Sequence, residues 1–499
     1  MLIINHYFFF FISRFYAPQI FHLQESACLL YGYSATLSRS KMKSVVLIGA
    51  GSTLALHVAS AFQSPPATSN VQGQGTWALF SSPVTGAATI DVSEFGDRDL
   101  AALDQWAINC GAQMSDGFEI RQTLDSERSD DAKVHTNQDL PVDSPILFVP
   151  EGVILSGQKA KQELGSYAAQ SEQILGRYYG PEEASKFYLF LKLLVEVQNG
   201  QSSPYYDYIN SLPRFFSNGA SMTDFCYGCL PPYAAKLALE DRKKMKLYVD
   251  ALEGISVLSR ETCTNDDLAK WAFAVVSTRG TDLPNGDFGI VPIADYFNHG
   301  GAYEVNSYIS FDEQGNCYAY SSQDVPAGSA LLVSYGDPTN PSKLMARYGF
   351  LDLTSPATYC KYIVDKPTEE MKAMGYPDQM LFYTDGSISQ EVWDVILYEQ
   401  LGKIGLPQQQ QFYQAFMSGD EATKQSLQQE HFALTMQALR SHVNYLENEI
   451  EELEIGMETM EKQGSSAQFY PRLPLIQRHN TYVKGVLGCV QENLNSMSQ

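Results

Sequence analysis

Asp287-Phe-Gly-Ile-Val-Pro-Ile-Ala-Asp295-Tyr-Phe-Asn298-His299 stands out as a β-type segment that ends on polar residues. It is answered further along by Leu331-Leu-Val-Ser-Tyr335-Gly336, and then by Tyr348-Gly-Phe350. β-branched and aromatic residues bounded by Gly, Pro and Asn read as short strands. An apolar strand that simply turns has no use for an Asp, an Asn and a His at its end. Those residue types in that place point to a site at strand termini. Gly336 permits the chain to turn close to a ligand directly after Tyr335. Taken singly, an Asn-His pair is an ordinary loop pair, and a tyrosine after a strand packs in a core with its hydroxyl satisfied. The order and spacing of the three segments carry the information.

Working outward, Leu268-Ala-Lys-Trp-Ala-Phe-Ala-Val-Val-Ser-Thr-Arg279 is an apolar helix ending on a cation. Residues 98–112 space apolar side chains three and four apart, as an amphipathic helix does. Residues 139–155 read as short strands and turns, and the pattern from about 163 to 260 is helical. Strand-like text returns over 287–335, and past Lys366 the chain is helical again. Strands are expected near 146–149, 288–294 and 330–334, and helices over about 184–198 and 425–460. Met436, Leu439, Val443, Leu446, Ile450, Leu453, Met457 and Met460 alternate spacings of three and four, the seam of one long helix. An intramolecular bundle is favoured for that seam over a dimer zipper. No internal repeat is present.

These motifs resemble the SET-domain protein methyltransferases, specifically the subgroup of the Rubisco large-subunit lysine methyltransferase, which also includes an actin-histidine methyltransferase. The similarity is specific over residues 268–352. The Trp-Ala-Phe helix ending at Arg279, the strand with Asp295 and Asn298-His299, and the two Tyr-Gly segments match in order. Asp104-Gln-Trp-Ala-Ile-Asn-Cys-Gly-Ala resembles the subgroup's first helix. The resemblance implies an α+β fold: a SET-type β core split by a helical insertion, then an all-helical C-terminal domain. The implied boundaries are 93–365 for the SET domain, with the insertion at about 163–260, and 366–499 for a helical substrate-binding-like domain.

The resemblance further implies an S-adenosyl-L-methionine-dependent transfer of methyl to a protein lysine. In it, Asn298 and His299 hold the donor, and Tyr335 is the catalytic residue that orients the acceptor nitrogen. Phe350 and Tyr348 line the donor pocket and lysine channel, and Arg279 and Asp295 are polar residues around donor and acceptor. One departure is plain. Where the family opens its donor site with Gly-x-Gly, this chain reads Asp131-Ala132-Lys133. A Cβ there crowds the donor, whereas Lys133 offers a cation to its carboxylate. Two alternatives therefore stand beside the lysine methyltransferase: a protein-histidine methyltransferase, and a catalytically silent SET fold that binds proteins.

Composition narrows the partners. The 499 residues carry 34 Lys+Arg against 57 Asp+Glu, a formal charge of −23, which excludes general affinity for nucleic acid. Eight scattered cysteines do not form a disulfide framework, and Cys226-Tyr-Gly-Cys229 is the one pair with ligand spacing. No metal is expected. Met42, flanked by Lys41 and Lys43, opens an apolar run reaching Ala59-Ser60-Ala61, a secretory-type signal. The Ala-Ser-Ala-Phe junction resembles the bipartite leaders of complex plastids. Residues 1–61 then read as an upstream extension plus signal and 62–92 as a transit segment or linker. Plastid localisation is expected, with a cytoplasmic protein as the alternative if the leader is unused. The expected partner is a stromal protein, the Rubisco large subunit or an aldolase, with no membrane attachment after the leader is removed. A monomer is favoured over a dimer through residues 436–460.

Overall fold

The computed structural model describes residues 90–122, 132–180, 182–462 and 470–497. Residues 1–61, nearly all of 62–92, and Asp131 of the Asp131-Ala132-Lys133 triplet lie outside the described residues.

The β core consists of several short sheets. Helix α1 (Leu103–Asn109) precedes β1 (Gln113–Met114) and the hairpin of β2 (Phe118–Gln122) with β3 (Ala132–Thr136). The largest sheet has the order β1-β4-β10-β9, where β4 is Pro145–Val149, β9 Ser307–Phe311 and β10 Cys317–Ser321. Strand β10 alternates buried and half-buried residues, so Cys317, Ala319 and Ser321 face the core. A second sheet, β5-β7-β6, joins Leu155–Ser156, Asp287–Ile290 and Thr281–Leu283.

Between β5 and β6 the chain makes the expected helical insertion, with α2 (Gly157–Leu175), α3 (Glu182–Asn199) and α4 (Pro232–Asp250). Phe187, Tyr188, Leu189, Phe190 and Leu191 are all buried. A helix apolar on every side belongs inside a protein, and α3 is packed between α2, β7 and α5 (Asp266–Arg279). Helix α5 starts at an Asn265 side chain accepting from the Leu268 N–H, and its Trp271 indole donates to Pro213 O at 2.8 Å. It delivers Arg279 to the end of the β5-β7-β6 sheet.

The C-terminal part is helical as expected, with α6 (Pro341–Tyr348) leading into it, then α7 (Gln390–Ile404), α8 (Leu406–Ser418), α9 (Phe432–Lys462) and α10 (Leu473–Ser496). It is not all-helical. A small antiparallel pair, β12 (Ala357–Tyr359) with β13 (Leu381–Tyr383), opens it and buries Phe382 beneath the bundle. The single helix expected over 425–460 is broken at His431, between a helix ending at Glu430 and α9. The seam of α9 (Met436, Leu439, Val443, Leu446, Ile450) is buried inside this chain, in one core with Val483, Val486, Leu487 and Val490 of α10. The described cysteines are free thiols, Cys226 and Cys229 both buried, and no metal-binding group exists among the described residues. No described helix is long and apolar enough to cross a membrane.

Candidate active site

Strand β7 ends at Ile290, four residues short of the expected end. The reason is Ile293, which holds φ 71° and ψ −48°. A β-branched residue strongly disfavours that backbone. The turn is stabilised by Asp295 N–H donating to Val291 O at 3.0 Å and Tyr296 N–H to Ile293 O at 3.1 Å. It swings the next residues across the core, so that Asn298–His299 becomes β8 and pairs in parallel with β11, Leu332–Val333. Parallel pairing of two short strands far apart in sequence places Asn298 opposite Leu332 and His299 opposite Val333. Tyr335 then emerges beside His299.

Four rings converge there. The centroid of Tyr335 lies 4.9 Å from Tyr348, 6.1 Å from Phe350 and 5.5 Å from His299, while His299 lies 5.3 Å from Phe350. Gly349 sets the angle between Tyr348 and Phe350. It caps α6 at φ 82°, and a Cβ on it would sit 2.7 Å from the Ser217 backbone. The Tyr335 hydroxyl donates to Phe297 O at 2.8 Å, and the Tyr335 N–H donates to His299 Nδ1 at 3.1 Å. His299, Tyr335, Tyr348 and Phe350, all singled out in the sequence, thus form one cluster, and Asn298 precedes His299 on β8.

Arg279 and Asp295 pair at the turn that leads into β8. Arg279 donates to both the Asp295 carboxylate and its backbone carbonyl, each at 2.9 Å, and its guanidinium lies 4.8 Å from the Tyr296 ring centroid. The Tyr208 hydroxyl donates to the same carboxylate oxygen at 2.7 Å. The side chains are 10% and 1% exposed, so this is a buried ion pair. Burial pushes the Asp295 carboxyl up, and the guanidinium pulls it back down. With Oδ2 taken by Arg279 and Tyr208, the pair grips the turn that carries Asn298 and His299; Asp295 Oδ1 has no hydrogen-bond partner.

Lys133 lies in the β2–β3 hairpin opposite Arg121, beside an Ala132 that is 1% exposed. The ring of Phe118 in that hairpin is 6.3 Å from that of Phe297, the residue before Asn298. The sequence reading missed Tyr208 and Asp352. Asp352 Oδ2 lies 3.5 Å from His299 Nε2. An Asp directly after Tyr348-Gly-Phe350-Leu, in an otherwise apolar segment, was the available signal for it. Nothing local marks Tyr208.

Superposition on solved structures places this topology. The SET domain of LSMT bound to lysine and AdoHcy matches with a TM-score of 0.57 and 15% identity, over 80% of this chain and 91% of that one. Rubisco LSMT bound to AdoMet matches with a TM-score of 0.56 and 16% identity, over 79% and 91%. The chain has the SET fold. The resemblance read from the sequence therefore holds at the level of fold, including the helical insertion and C-terminal region. No family model matches the chain. Among curated proteins it is 28% identical over 188 residues to SET domain-containing protein 4 of Artemia parthenogenetica, an alignment spanning 35% of this chain and 46% of that protein. The chain thus matches less than half the length of this SET relative.

Proposed function

We propose that this SET-fold chain is an S-adenosylmethionine-dependent protein methyltransferase acting on a lysine side chain of another protein. The observation that carries the reading is the packing of the Tyr335 ring among the rings of His299, Tyr348 and Phe350, beside the β8–β11 pairing, with its hydroxyl on Phe297 O. The named complexes of the LSMT neighbours with lysine, AdoMet and AdoHcy support it.

When bound, S-adenosylmethionine supplies a methyl group on a positively charged sulfur. The residues fit such a group: aromatic faces attract a cation, and buried polar atoms on His299 and Asp352 are left without hydrogen-bond partners. Asn298 and His299 would hold the donor's adenine and amino-acid ends, Phe350 its pocket, and Lys133 its carboxylate. The Tyr335 hydroxyl donates its proton to Phe297 O, so toward an amine it would act as an acceptor. A lysine with an ordinary pKa near 10.4 must first lose a proton. Walls built from Tyr335 and Tyr348 favour that loss by desolvating the ammonium. Alignment and electrostatics then supply the rate, and no dedicated base is required.

The substrate proposed is a plastid stromal protein, the Rubisco large subunit or an aldolase, on the strength of the leader and the subgroup resemblance. Choice among substrates falls to residues 366–499. Burial of the α9 seam within the chain supports a monomer. A silent SET fold that binds proteins is the second reading, favoured by Ala132 standing buried where the family has its glycines. A histidine acceptor is the variant of the first. Calorimetric titration of S-adenosylmethionine into the folded chain separates the classes. Micromolar binding followed by methyl transfer to stromal protein is expected. Absence of binding heat from a protein that still melts cooperatively would overturn the enzyme reading.

A further inference from the structure

We propose that Asp352 is a positioning residue that holds the His299 imidazole with its proton on Nε2 and thereby fixes the backbone of Tyr335. The inference deepens the methyltransferase reading and rests on it for its kinetic consequence only.

The two side chains are 6% and 5% exposed. His299 Nδ1 accepts the Tyr335 N–H at 3.1 Å, so Nδ1 carries no proton in this arrangement. A neutral imidazole with Nδ1 as acceptor has its proton on Nε2. That nitrogen faces Asp352 Oδ2 at 3.5 Å, and neither atom has a hydrogen-bond partner. The separation exceeds that of a well-formed hydrogen bond. Contacts of this kind tighten when an active site is filled.

Asp352 is itself anchored. Its Oδ1 accepts the Thr354 N–H at 2.9 Å and the Thr354 hydroxyl at 2.7 Å. Thr354 abuts Gly301, where a Cβ would lie 2.0 Å from the Thr354 Oγ1. The segment carrying Asp352 is thus pressed onto the segment that follows His299. From there the chain of contacts runs Asp352, His299, Tyr335 N–H, and through the Tyr335 hydroxyl to Phe297 O, one residue before Asn298. A carboxylate only accepts, and so demands a proton on Nε2. A carboxamide of the same shape can keep its oxygen on Thr354 but then turns N–H bonds toward Nε2. Two donors face each other unless the imidazole proton moves to Nδ1, where it meets the Tyr335 N–H. Either way a buried donor loses its acceptor, at the His299 ring in the first case and at the Tyr335 N–H in the second. A buried Asp that sets a histidine's tautomer acts through orientation in the same manner.

The test is Asp352→Asn with two readouts. Nitrogen–proton NMR correlations of the His299 ring should place the proton on Nε2 in the parent and shift it wholly or partly to Nδ1 in the variant. At saturating donor and acceptor, turnover should fall about tenfold or more, with little change in acceptor KM or melting temperature. Asp352→Glu should recover part of the loss. A parent ring protonated on Nδ1, or an Asp352→Asn variant of unchanged tautomer and turnover, would overturn the proposal. So would turnover lost only in proportion to lost folded protein. If the parent neither binds donor nor methylates, it is the methyltransferase reading that fails, and the NMR result still decides the role of Asp352.

Discussion

Replacing Tyr335 by phenylalanine separates a structural tyrosine from a catalytic one, because the two roles predict different magnitudes. The change keeps the ring and therefore its packing on Tyr348 at 4.9 Å and Phe350 at 6.1 Å. What disappears with the hydroxyl includes the 2.8 Å donation to Phe297 O. Tyr335 is half-buried and Phe297 buried, so stability should fall by about 1 kcal/mol. In a folded unit of this size that is a drop in melting temperature of roughly 1–2 °C. Loss of the oxygen that orients the acceptor amine should cost ~10²-fold in rate, about 2.7 kcal/mol of barrier. The barrier term exceeds the stability term, and donor affinity should stay nearly unchanged. Single-turnover transfer from labelled donor, run beside a calorimetric melting curve for both proteins, reads all three quantities. A variant that melts lower yet methylates normally would refute the reasoning and leave Tyr335 as an ordinary core residue.

Three further outcomes are expected. Asn298→Ala should weaken donor binding by roughly 1–3 kcal/mol through lost buried hydrogen bonds, and unchanged affinity by calorimetry would remove Asn298 from the donor site. Arg279→Ala leaves the Asp295 carboxylate, 1% exposed, without its cation, and should lower stability by about 3–5 kcal/mol in denaturant titrations. Pairing Arg279→Met with Asp295→Asn should restore most of that, and equal losses in both proteins would show that the stranded charge is not the cause. Lys361 is buried with its amine on the Ser342 hydroxyl, and burial lowers its pKa from 10.5 to about 7. Between about pH 7 and 10 the unfolded chain therefore holds a proton on this lysine that the native state has released, so the Lys361 contribution to stability should rise with pH across that window. Lys361→Met should remove that contribution, and a pH dependence identical to the parent's would contradict the assignment.

The residues of the candidate site stand out in the sequence because they lie at strand ends, where polar and aromatic types break an apolar pattern. Asn298, His299, Tyr335, Tyr348 and Phe350 were all readable in that way, and so was the SET-type core with its helical insertion. Helix α3 was legible too, since an all-round apolar run has to be buried. The less legible parts have specific causes. Ile293 adopts a left-handed backbone that its own side chain opposes, so local propensity pointed to a strand running through to 294 and not to the turn that redirects Asp295. The break at His431 interrupts a helix whose apolar spacing was nearly continuous. The β12–β13 pair is too short to produce a periodicity.

Residue types and their chain order are properties of the sequence. What each side chain does to its neighbours follows from contacts between distant segments. Tyr208 reaches Asp295 from the helical insertion, and Asp352 reaches His299 from beyond the closing Tyr-Gly-Phe segment. Neither contact leaves a trace in local spacing, because parallel pairing of β8 with β11 joins segments whose separation no helical or strand period can encode. The protonation pattern of His299 is likewise a tertiary property. It depends on a backbone N–H from one segment and a carboxylate from another meeting the two nitrogens of a single ring.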